Sequence, residues 1–258
     1  MSDCYQRRFD AALTTEFDAE LKKISQLAWL PWVGKNYKTC RILIVAESHY
    51  TNTDDPALVQ QKKQEYMDDN LSTRKVMAEY PLVGYNAGWR SPTYDMLFRL
   101  LISDDLLNGE NIHPRRVKLC SNFAFVNMIQ RPMWYPPRSS GFPKERPNDA
   151  DREIGWNVIS EILKILSPDV CIFAGSDASR YFEHHMHRLG IQYSGWEWAA
   201  EKIGNTYPKK AIVDIDGKQV PFKFIRHSGS YFSWDRWQEF VFSDCKNIQD
   251  KLLAIMKA

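Results

Sequence analysis

Apolar residues follow two patterns along this chain, short continuous runs and longer segments with helical spacing. Continuous runs at residues 41–46, 120–128 and 169–174 are typical of strands that are buried on both faces, as in a parallel sheet. Residues 211–226 instead predict a hairpin, with two apolar arms on either side of a turn at Asp216-Gly217. The sequence therefore predicts at least five strands.

Helical spacing of apolar residues fills much of the chain between these strands. The predicted helices cover residues 8–28, 94–101, 149 or 151 to 166, 176–187 and 234–256. Strands that alternate with helices indicate an α/β sandwich. We expect a single domain over residues 1–258, with an N-terminal helical extension at 1–39 and a polar insertion at 51–93.

Composition and charge fit one large globular domain. The 258 residues are 44% hydrophobic and 26% charged, and the net charge is only +2. No global positive field is evident, so a nucleic-acid partner has to be argued from local clusters. Basic residues cluster at Arg115, Arg116 and Lys118, and again at Arg131, Arg138, Lys144 and Arg146. A solvated, mixed-charge surface is the alternative interpretation of such clusters.

Cysteine and histidine spacing gives no indication of a metal site or a disulfide framework. The five cysteines are far apart and never form a CxxC pair. His184 and His187 share a helix face, but no further ligands complete a site. We therefore expect no metal and no cofactor. No signal peptide or 18-residue apolar span is evident, which predicts a cytoplasmic protein without a membrane partner.

Polar residues follow three of the predicted strands at their carboxyl ends. The carboxyl ends of strands in open α/β sheets are where ligands bind. The first strand is followed by Glu47-Ser48-His49-Tyr50, the second contains Asn127 and precedes Arg131, and the hairpin ends in Arg226-His227-Ser228. A carboxylate, an amide and an imidazole at one sheet edge would form a catalytic cleft. Taken singly, each could also be a strand-end carboxylate, a turn cap or a surface histidine.

The order of these segments resembles the uracil-DNA glycosylase superfamily. Residues 45–50 (VAESHY) occupy the place of its first motif, and residues 125–132 (FVNMIQRP) resemble its second strand and Pro-rich loop. Residues 146–178, which begin with Arg146-Pro147 and end with Gly175-Ser-Asp-Ala178, are similar to a family segment that runs from an Arg-Pro pair to a Leu-Gly pair. Residues 226–230 (RHSGS) resemble the family's His-Pro-Ser motif. The resemblance covers about residues 40–240. It implies a three-layer α/β/α sandwich with a mainly parallel central sheet.

The resemblance also implies a mechanism in which a flipped-out base is cut from its sugar in DNA. Glu47 would activate water and stabilise the cationic sugar, His227 would donate a hydrogen bond to the base carbonyl, and Asn127 would read the base edge. Further substrate-binding residues would be Ser48, His49, Tyr50, Tyr85 and Arg226. DNA-binding residues would be Arg131, Arg138, Ser228, Gly229, Ser230 and Tyr231, in a monomeric enzyme on double- or single-stranded DNA.

Departures from the family pattern leave alternatives open. The first motif lacks its usual Gly and Pro, the His227 motif lacks its Pro, and the iron–sulfur cysteines of some branches are missing. Ser48, rather than Glu47, could occupy the water-activating position. The target could be uracil or a modified pyrimidine, in repair or in defence against phages with modified DNA. A non-catalytic DNA-binding relative and a nucleoside or nucleotide hydrolase are the competing functions.

Overall fold

The computed structural model describes residues 9–51, 53, 55–79, 91–107, 112–175, 178–229 and 231–258. Its strands are β1 (Trp32–Val33), β2 (Ile42–Ala46), β3 (Tyr50–Thr51), β4 (Phe123–Asn127), β5 (Met133–Trp134), β6 (Val170–Ala174), β7 (Tyr193–Trp198), β8 (Lys209–Ile215) and β9 (Lys218–Ile225). The strands β3 and β5 form a separate parallel pair, and the other seven form one sheet.

The seven-stranded sheet is mixed. Its strand order is β1-β4-β2-β6-β9-β8-β7. The four central strands, β4, β2, β6 and β9, run parallel to one another, whereas β1, β8 and β7 pair in antiparallel orientation. The α/β class predicted from the sequence is therefore confirmed. Parallel pairing, however, is confined to the centre of the sheet, because the β8–β9 hairpin and the edge strands β1 and β7 reverse direction.

The helices cover both faces of the sheet. They are α1 (Asp18–Leu21), α2 (Tyr37–Cys40), α3 (Val59–Met67), α4 (Ser72–Met77), α5 (Pro92–Ile102), α6 (Asp104–Leu107), α7 (Ile112–Cys120), α8 (Asp149–Leu166), α9 (Phe182–Leu189), α10 (Trp234–Phe242) and α11 (Lys246–Lys257). Alternate residues of a strand point to opposite faces. Ile42 and Ile44 of β2 accordingly pack with α5, α10 and α11, while Leu43 and Val45 pack with α8 and α9.

Helix α8 shows how local sequence sets the bounds of an element. Asn148 accepts a hydrogen bond from the Asp151 backbone N–H at 2.9 Å, and the Asp151 carboxylate accepts one from the Asn148 N–H at 2.8 Å. This capping box satisfies two backbone donors of the first turn. The helix ends at Leu166, where Ser167 adopts a left-handed conformation with φ of 44°. The predicted helix over residues 149–166 is confirmed.

Two predicted helices are interrupted. The expected helix over residues 8–28 is broken because Leu13 forms a β-bridge with Gly34, and only residues 9–12 and α1 are helical. The expected helix over residues 234–256 is two helices, α10 and α11. Between them, the Asp244 carboxylate accepts a hydrogen bond from the buried ammonium group of Lys223 on β9. A buried cation needs such a partner. The spacing of apolar residues in the segment cannot predict this contact, because Lys223 comes from a distant strand.

Strand β7 was not predicted, because it is an edge strand whose residues are mostly half-buried or exposed rather than a continuous apolar run. The predicted helix at 176–187 begins only at Phe182, and residues 176–177 lie outside the described part. The insertion at 51–93 contains a 3-10 turn (Pro56–Leu58), α3 and α4. None of the helices in the described ranges is both long and apolar enough to cross a membrane.

Candidate active site at the carboxyl edge of the sheet

The parallel strands β2, β4, β6 and β9 end at one edge of the sheet. Backbone pairing continues past the strand ends, since Met128 N–H donates to Ala46 O at 2.8 Å and Ile129 N–H donates to Glu47 O at 2.9 Å. In the same way, Gly175 N–H donates to Ile225 O at 3.0 Å. These hydrogen bonds fix the residues that follow each strand next to one another. The predicted residues at this edge are therefore neighbours in space.

A cavity of about 600 Å³ lies at this edge. Its volume is in the range of small-molecule binding sites. Glu47, Asn127 and His227 all line this cavity, although they are far apart along the chain. The other lining residues that the sequence had indicated are Ser48, His49, Tyr50 and Ser228. The acid, the amide and the imidazole thus share one space.

The Glu47 side chain packs directly against Gly175, the residue that follows β6. A Cβ atom at position 175 would lie 2.4 Å from both Cγ and Oε1 of Glu47, which is well inside van der Waals contact. Gly175 also has a φ of 130°, a conformation that side chains rarely adopt. The missing side chain at Gly175 therefore creates the space that the buried carboxylate occupies.

The imidazole of His227 is close enough to Glu47 for their charges to interact. Part of the His227 side chain is exposed to solvent. The surrounding protein still removes enough water from the ring to lower its pKa, and this is the largest effect on it. The Glu47 charge raises the pKa, and the positive charges of Lys144 and Arg226 lower it, with a net shift below the ordinary value of 6.5. The lowered pKa favours the neutral form of His227, and a neutral ring carries one N–H donor and one acceptor.

Asn127 is the last residue of β4, and only 3% of it is exposed. Within the described part of the chain, no group forms a hydrogen bond with its side-chain amide, although its backbone carbonyl accepts one from Gln130 at 2.7 Å. A buried amide without a protein partner is costly. Its position on the cavity wall makes its donor and its acceptor available to a ligand.

Aromatic rings form much of the remaining wall. Phe125, two residues before Asn127, points to the same face of β4, and the Tyr94 ring of α5 lies 5.9 Å from it. Tyr66 and Tyr135 also line the cavity. The strand period could have identified Phe125, but the tyrosines come from distant segments that give no signal in the sequence. Tyr85, the ring predicted to stack on the base, lies outside the described residues.

Ser48 and His49 are engaged in holding the loop after β2. The Ser48 hydroxyl lies 2.9 Å from two carbonyl oxygens, those of His49 and Arg131, and has only one proton to donate. His49 Nε2 lies 2.9 Å from Thr73 Oγ1, and its ring stacks on Tyr66. Burial lowers the pKa of His49 to about 3. Ser48 and His49 are therefore engaged by protein groups that hold the loop after β2 against Arg131, Thr73 and Tyr66.

Tyr50 and Lys144 lie beside each other at this end of the cavity. The Lys144 ammonium nitrogen is 4.3 Å from the centre of the Tyr50 ring and 5.2 Å from the centre of the Tyr135 ring. Cation–π contacts of this kind hold a lysine against an aromatic wall. Tyr50 therefore lines the cavity with a positive charge next to it.

Arg131 is not placed as a free DNA-binding cation. Its guanidinium donates two hydrogen bonds to Asp151, at 2.6 and 2.8 Å, and one to Glu145 at 2.6 Å. These partners raise the pKa of Arg131 and tie the loop after β4 to the first turn of α8. The arrangement favours a structural role rather than the predicted phosphate contact. The side chain of Arg138 lies outside the described part.

The segment after His227 divides into a buried and an exposed part. Ser228 is buried and lines the cavity. Gly229 packs near the His227 ring, since a Cβ there would lie 3.3 Å from Nδ1. Tyr231, by contrast, is 95% exposed and has a left-handed φ of 60°. Ser230, between them, is outside the described residues.

Arg226 lies beside a second cavity next to the candidate active site. It lines this cavity of about 310 Å³, to which His227 also belongs. Within the described part of the chain, no carboxylate pairs with it. Arg226 is thus close to the site, but the structure does not bring it together with Asn127.

No protein-family model matches this chain, and no curated protein matches it either. The geometry of the cavity therefore carries the functional proposal.

Proposed function

We propose that this chain is a DNA glycosylase, which hydrolyses the N-glycosidic bond of a flipped-out uracil or modified pyrimidine and leaves an abasic site. The observation that carries the proposal is that Glu47, Asn127 and His227 line one cavity of about 600 Å³. The proposal includes membership of the uracil-DNA glycosylase superfamily with its three-layer α/β/α sandwich. It also includes a DNA partner, a monomeric state and a cytoplasmic location.

The three groups have complementary roles in the reaction. The bond between the base nitrogen and C1′ breaks, its electron pair moves to the base, and water adds to C1′ with loss of a proton. Glu47 stabilises the positive charge on the sugar and accepts the proton of the attacking water. Neutral His227 donates a hydrogen bond to the base carbonyl, where negative charge develops. Its lowered pKa supports this role, because it favours the neutral ring, which keeps one N–H donor for the base carbonyl.

Asn127 and the aromatic wall would select the base. A side-chain amide presents one acceptor and two donor hydrogens, which match the edge of a pyrimidine. Because Asn127 is buried and has no protein partner among the described residues, it can meet a base without breaking an existing hydrogen bond. Phe125 and Tyr94 provide an apolar surface for the ring.

Tyr231 is suited to fill the gap that a flipped nucleotide leaves in a duplex. It is 95% exposed and follows the His227 segment directly. A non-glycine residue with positive φ carries strain of about 1–3 kcal/mol, and such strain is typical of functional positions. An apolar or aromatic wedge offsets part of the unstacking free energy.

The test is a panel of duplex and single-stranded oligonucleotides, each with uracil, hypoxanthine, or a 5-substituted or glycosylated cytosine. Abasic sites are revealed by alkaline strand cleavage. On the substrate that is cut, Glu47→Ala and His227→Ala should each lower single-turnover excision by at least ~10²-fold. The exposed residues Glu239 and His187 provide matched controls, and Glu239→Ala and His187→Ala should leave the rate unchanged.

Two results would overturn the proposal. Salt-sensitive DNA binding without an abasic product on any substrate would indicate a non-catalytic DNA-binding protein. Turnover of free nucleosides or nucleotides without any need for DNA would indicate a nucleoside or nucleotide hydrolase.

A further inference from the structure

Two more cavities continue from the candidate active site along the β9-β8-β7 side of the sheet. The first, of about 310 Å³, shares His227 with the active-site cavity and also contains Arg226 and Tyr207. The second, of about 590 Å³, shares Ser179 and Lys209 with the first. The three cavities therefore adjoin one another in a row. We call the outer two cavities the basic–aromatic track, after Arg226, Tyr207, Lys209, Trp198 and Arg146 in their walls.

Strand pairing fixes the direction of this track. Lys209 of β8 is the register partner of Phe224 on β9 and of Trp198 on β7. Neighbouring strands are about 4.8 Å apart, so Trp198 lies roughly 10 Å from β9. His227 follows the end of β9 by two residues. The track thus starts at the imidazole of the active site and runs across three strands toward the edge of the sheet.

Among the residues that the structure describes, no carboxylate neutralises the cations of the track. Within the described residues, no Asp or Glu forms an ion pair with Arg226, Lys209 or Arg146. Among the described residues that line the two cavities, Glu183, in the wall of the second, is the one acidic side chain. Partial burial also lowers the pKa of Lys209, since removal of water disfavours its charge. Arg131, held by two carboxylates, shows the opposite arrangement. The track therefore favours an anionic ligand.

Aromatic rings along the track face the solvent. Trp198 is 59% exposed and Tyr207 is 41% exposed. The Lys209 ammonium nitrogen lies 4.2 Å from the centre of the Trp198 ring, and the Lys202 nitrogen lies 5.0 Å from the centre of the Tyr207 ring. Exposed aromatic rings interleaved with cations are the features that bind single-stranded nucleic acid, because bases stack on the rings and phosphates meet the cations.

We infer that the basic–aromatic track binds an unpaired segment of the DNA strand that flanks the target nucleotide. This inference rests on the proposed function, and it names the substrate of that site as single-stranded, or locally opened, DNA. Stacking on Trp198 and Tyr207 requires unpaired bases, since the faces of paired bases are covered in a duplex. Arg226 and Lys209 would contact the phosphates between the active site and these rings.

Binding of a single-stranded DNA without any target base tests the track independently of base excision. Fluorescence anisotropy with a labelled mixed-sequence oligonucleotide gives Kd for the full chain and its variants. Trp198→Ala and Tyr207→Ala should each weaken binding by roughly tenfold, the effect of losing one base–aromatic stack. Trp198→Phe should retain most of the affinity. Phe142 is also an exposed aromatic residue, but it does not line these cavities as described. The variant Phe142→Ala is therefore the control, and it should leave Kd unchanged.

The salt dependence and the length dependence of binding complete the test. Lys209→Gln should reduce the slope of log K against log salt concentration by about one phosphate contact. Wild type should gain affinity when the strand is extended beyond the target nucleotide, and the Trp198→Ala/Tyr207→Ala double variant should lose that gain. Trp198 and Tyr207 are both exposed, so their replacement should leave the core intact, and thermal unfolding of each variant verifies that the fold is retained.

Unchanged Kd for both alanine variants would overturn the inference, and so would an equal loss of affinity for fully paired duplex. Stronger binding of RNA or of an acidic peptide, with the same dependence on Trp198, would assign the track to another ligand and also overturn it. Failure of the proposed function looks different, because oligonucleotide binding would then persist without any abasic product.

Discussion

Gly175→Ala is the substitution that tests the proposed catalytic geometry most directly, because it adds one methyl group next to the Glu47 carboxylate. The new Cβ would lie 2.4 Å from Oε1 and Cγ of Glu47, whereas ordinary contacts begin at 3.4 Å. The Glu47 side chain must therefore move by about 1 Å, which is the difference between these two distances. A displacement of about 1 Å in a catalytic group costs on the order of 10² in rate.

We expect Gly175→Ala to lower single-turnover excision by roughly 10²-fold, equivalent to about 2.7 kcal/mol in the activation free energy. The positive φ at this position adds ~1–3 kcal/mol of backbone strain to the folded state. Gly217→Ala is the matched control, because Gly217 also has a positive φ, of 83°, but no atom lies within 4 Å of its Cβ position. That control should lose stability without losing activity at a temperature where it is folded.

A double variant separates an effect on Glu47 from a general disturbance. If Gly175→Ala acts by displacing the carboxylate, it should cause little further loss in a Glu47→Gln background, because coupled substitutions are not additive. The assay is single-turnover excision on the cleaved substrate, accompanied by thermal unfolding. A folded Gly175→Ala protein with wild-type turnover, or full additivity in the double variant, would refute this account of the site.

Three further outcomes follow from the contacts around the cavity. The pKa of His49 is about 3 in the folded protein and about 6.5 in the unfolded chain. Between these two pH values the unfolded chain binds a proton at His49 and the folded chain does not, so the protein becomes less stable as pH falls from 6.5 toward 3. Unfolding free energy should then fall by up to about 1.4 kcal/mol per pH unit, and His49→Gln should flatten this slope in urea titrations at pH 4–7. Arg131→Ala should destabilise the fold by ~2 kcal/mol, because its charge-assisted hydrogen bonds are lost. Arg146→Ala should instead weaken DNA binding and leave the melting temperature unchanged. A stable Arg131→Ala variant with weaker DNA binding, or a destabilised Arg146→Ala variant with normal DNA binding, would contradict these assignments. Tyr231→Gly keeps the left-handed backbone but removes the ring. It should reduce base excision from duplex DNA by roughly tenfold and change excision from single strands little. Equal effects on duplex and single-stranded DNA would exclude a role of the Tyr231 ring in filling the gap left by the flipped nucleotide.

The contrast between Arg131 and Lys209 shows what clusters of basic residues in the sequence leave undetermined. Arg131 belongs to a basic cluster in the sequence and was predicted to bind DNA, yet Asp151 and Glu145 occupy its guanidinium. Lys209 belongs to neither of the two basic clusters noted in the sequence, yet it remains unpaired among the described residues and contacts Trp198. Ion pairing depends on which carboxylates the fold brings near, so net charge and clustering cannot predict it.

The carboxyl edge of the sheet could be located from the sequence because it follows from local pattern. The continuous apolar runs determine β2, β4 and β6, and the alternation and turn determine the hairpin β8–β9. Parallel neighbours have their carboxyl ends at one edge, and so Glu47, Asn127 and His227 were expected to meet there. These inferences need no knowledge of side-chain packing.

Contacts between distant segments were decided only by the tertiary structure. The space that Gly175 leaves for Glu47, the break between α10 and α11 at Asp244, and the pairing of β7 with β8 all join residues from different parts of the chain. Periodicity reports which face of an element is apolar, but not which element covers that face. Local pattern therefore determined the strands and the polar residues at their ends, whereas the cavity walls and the free cations depended on how the elements pack.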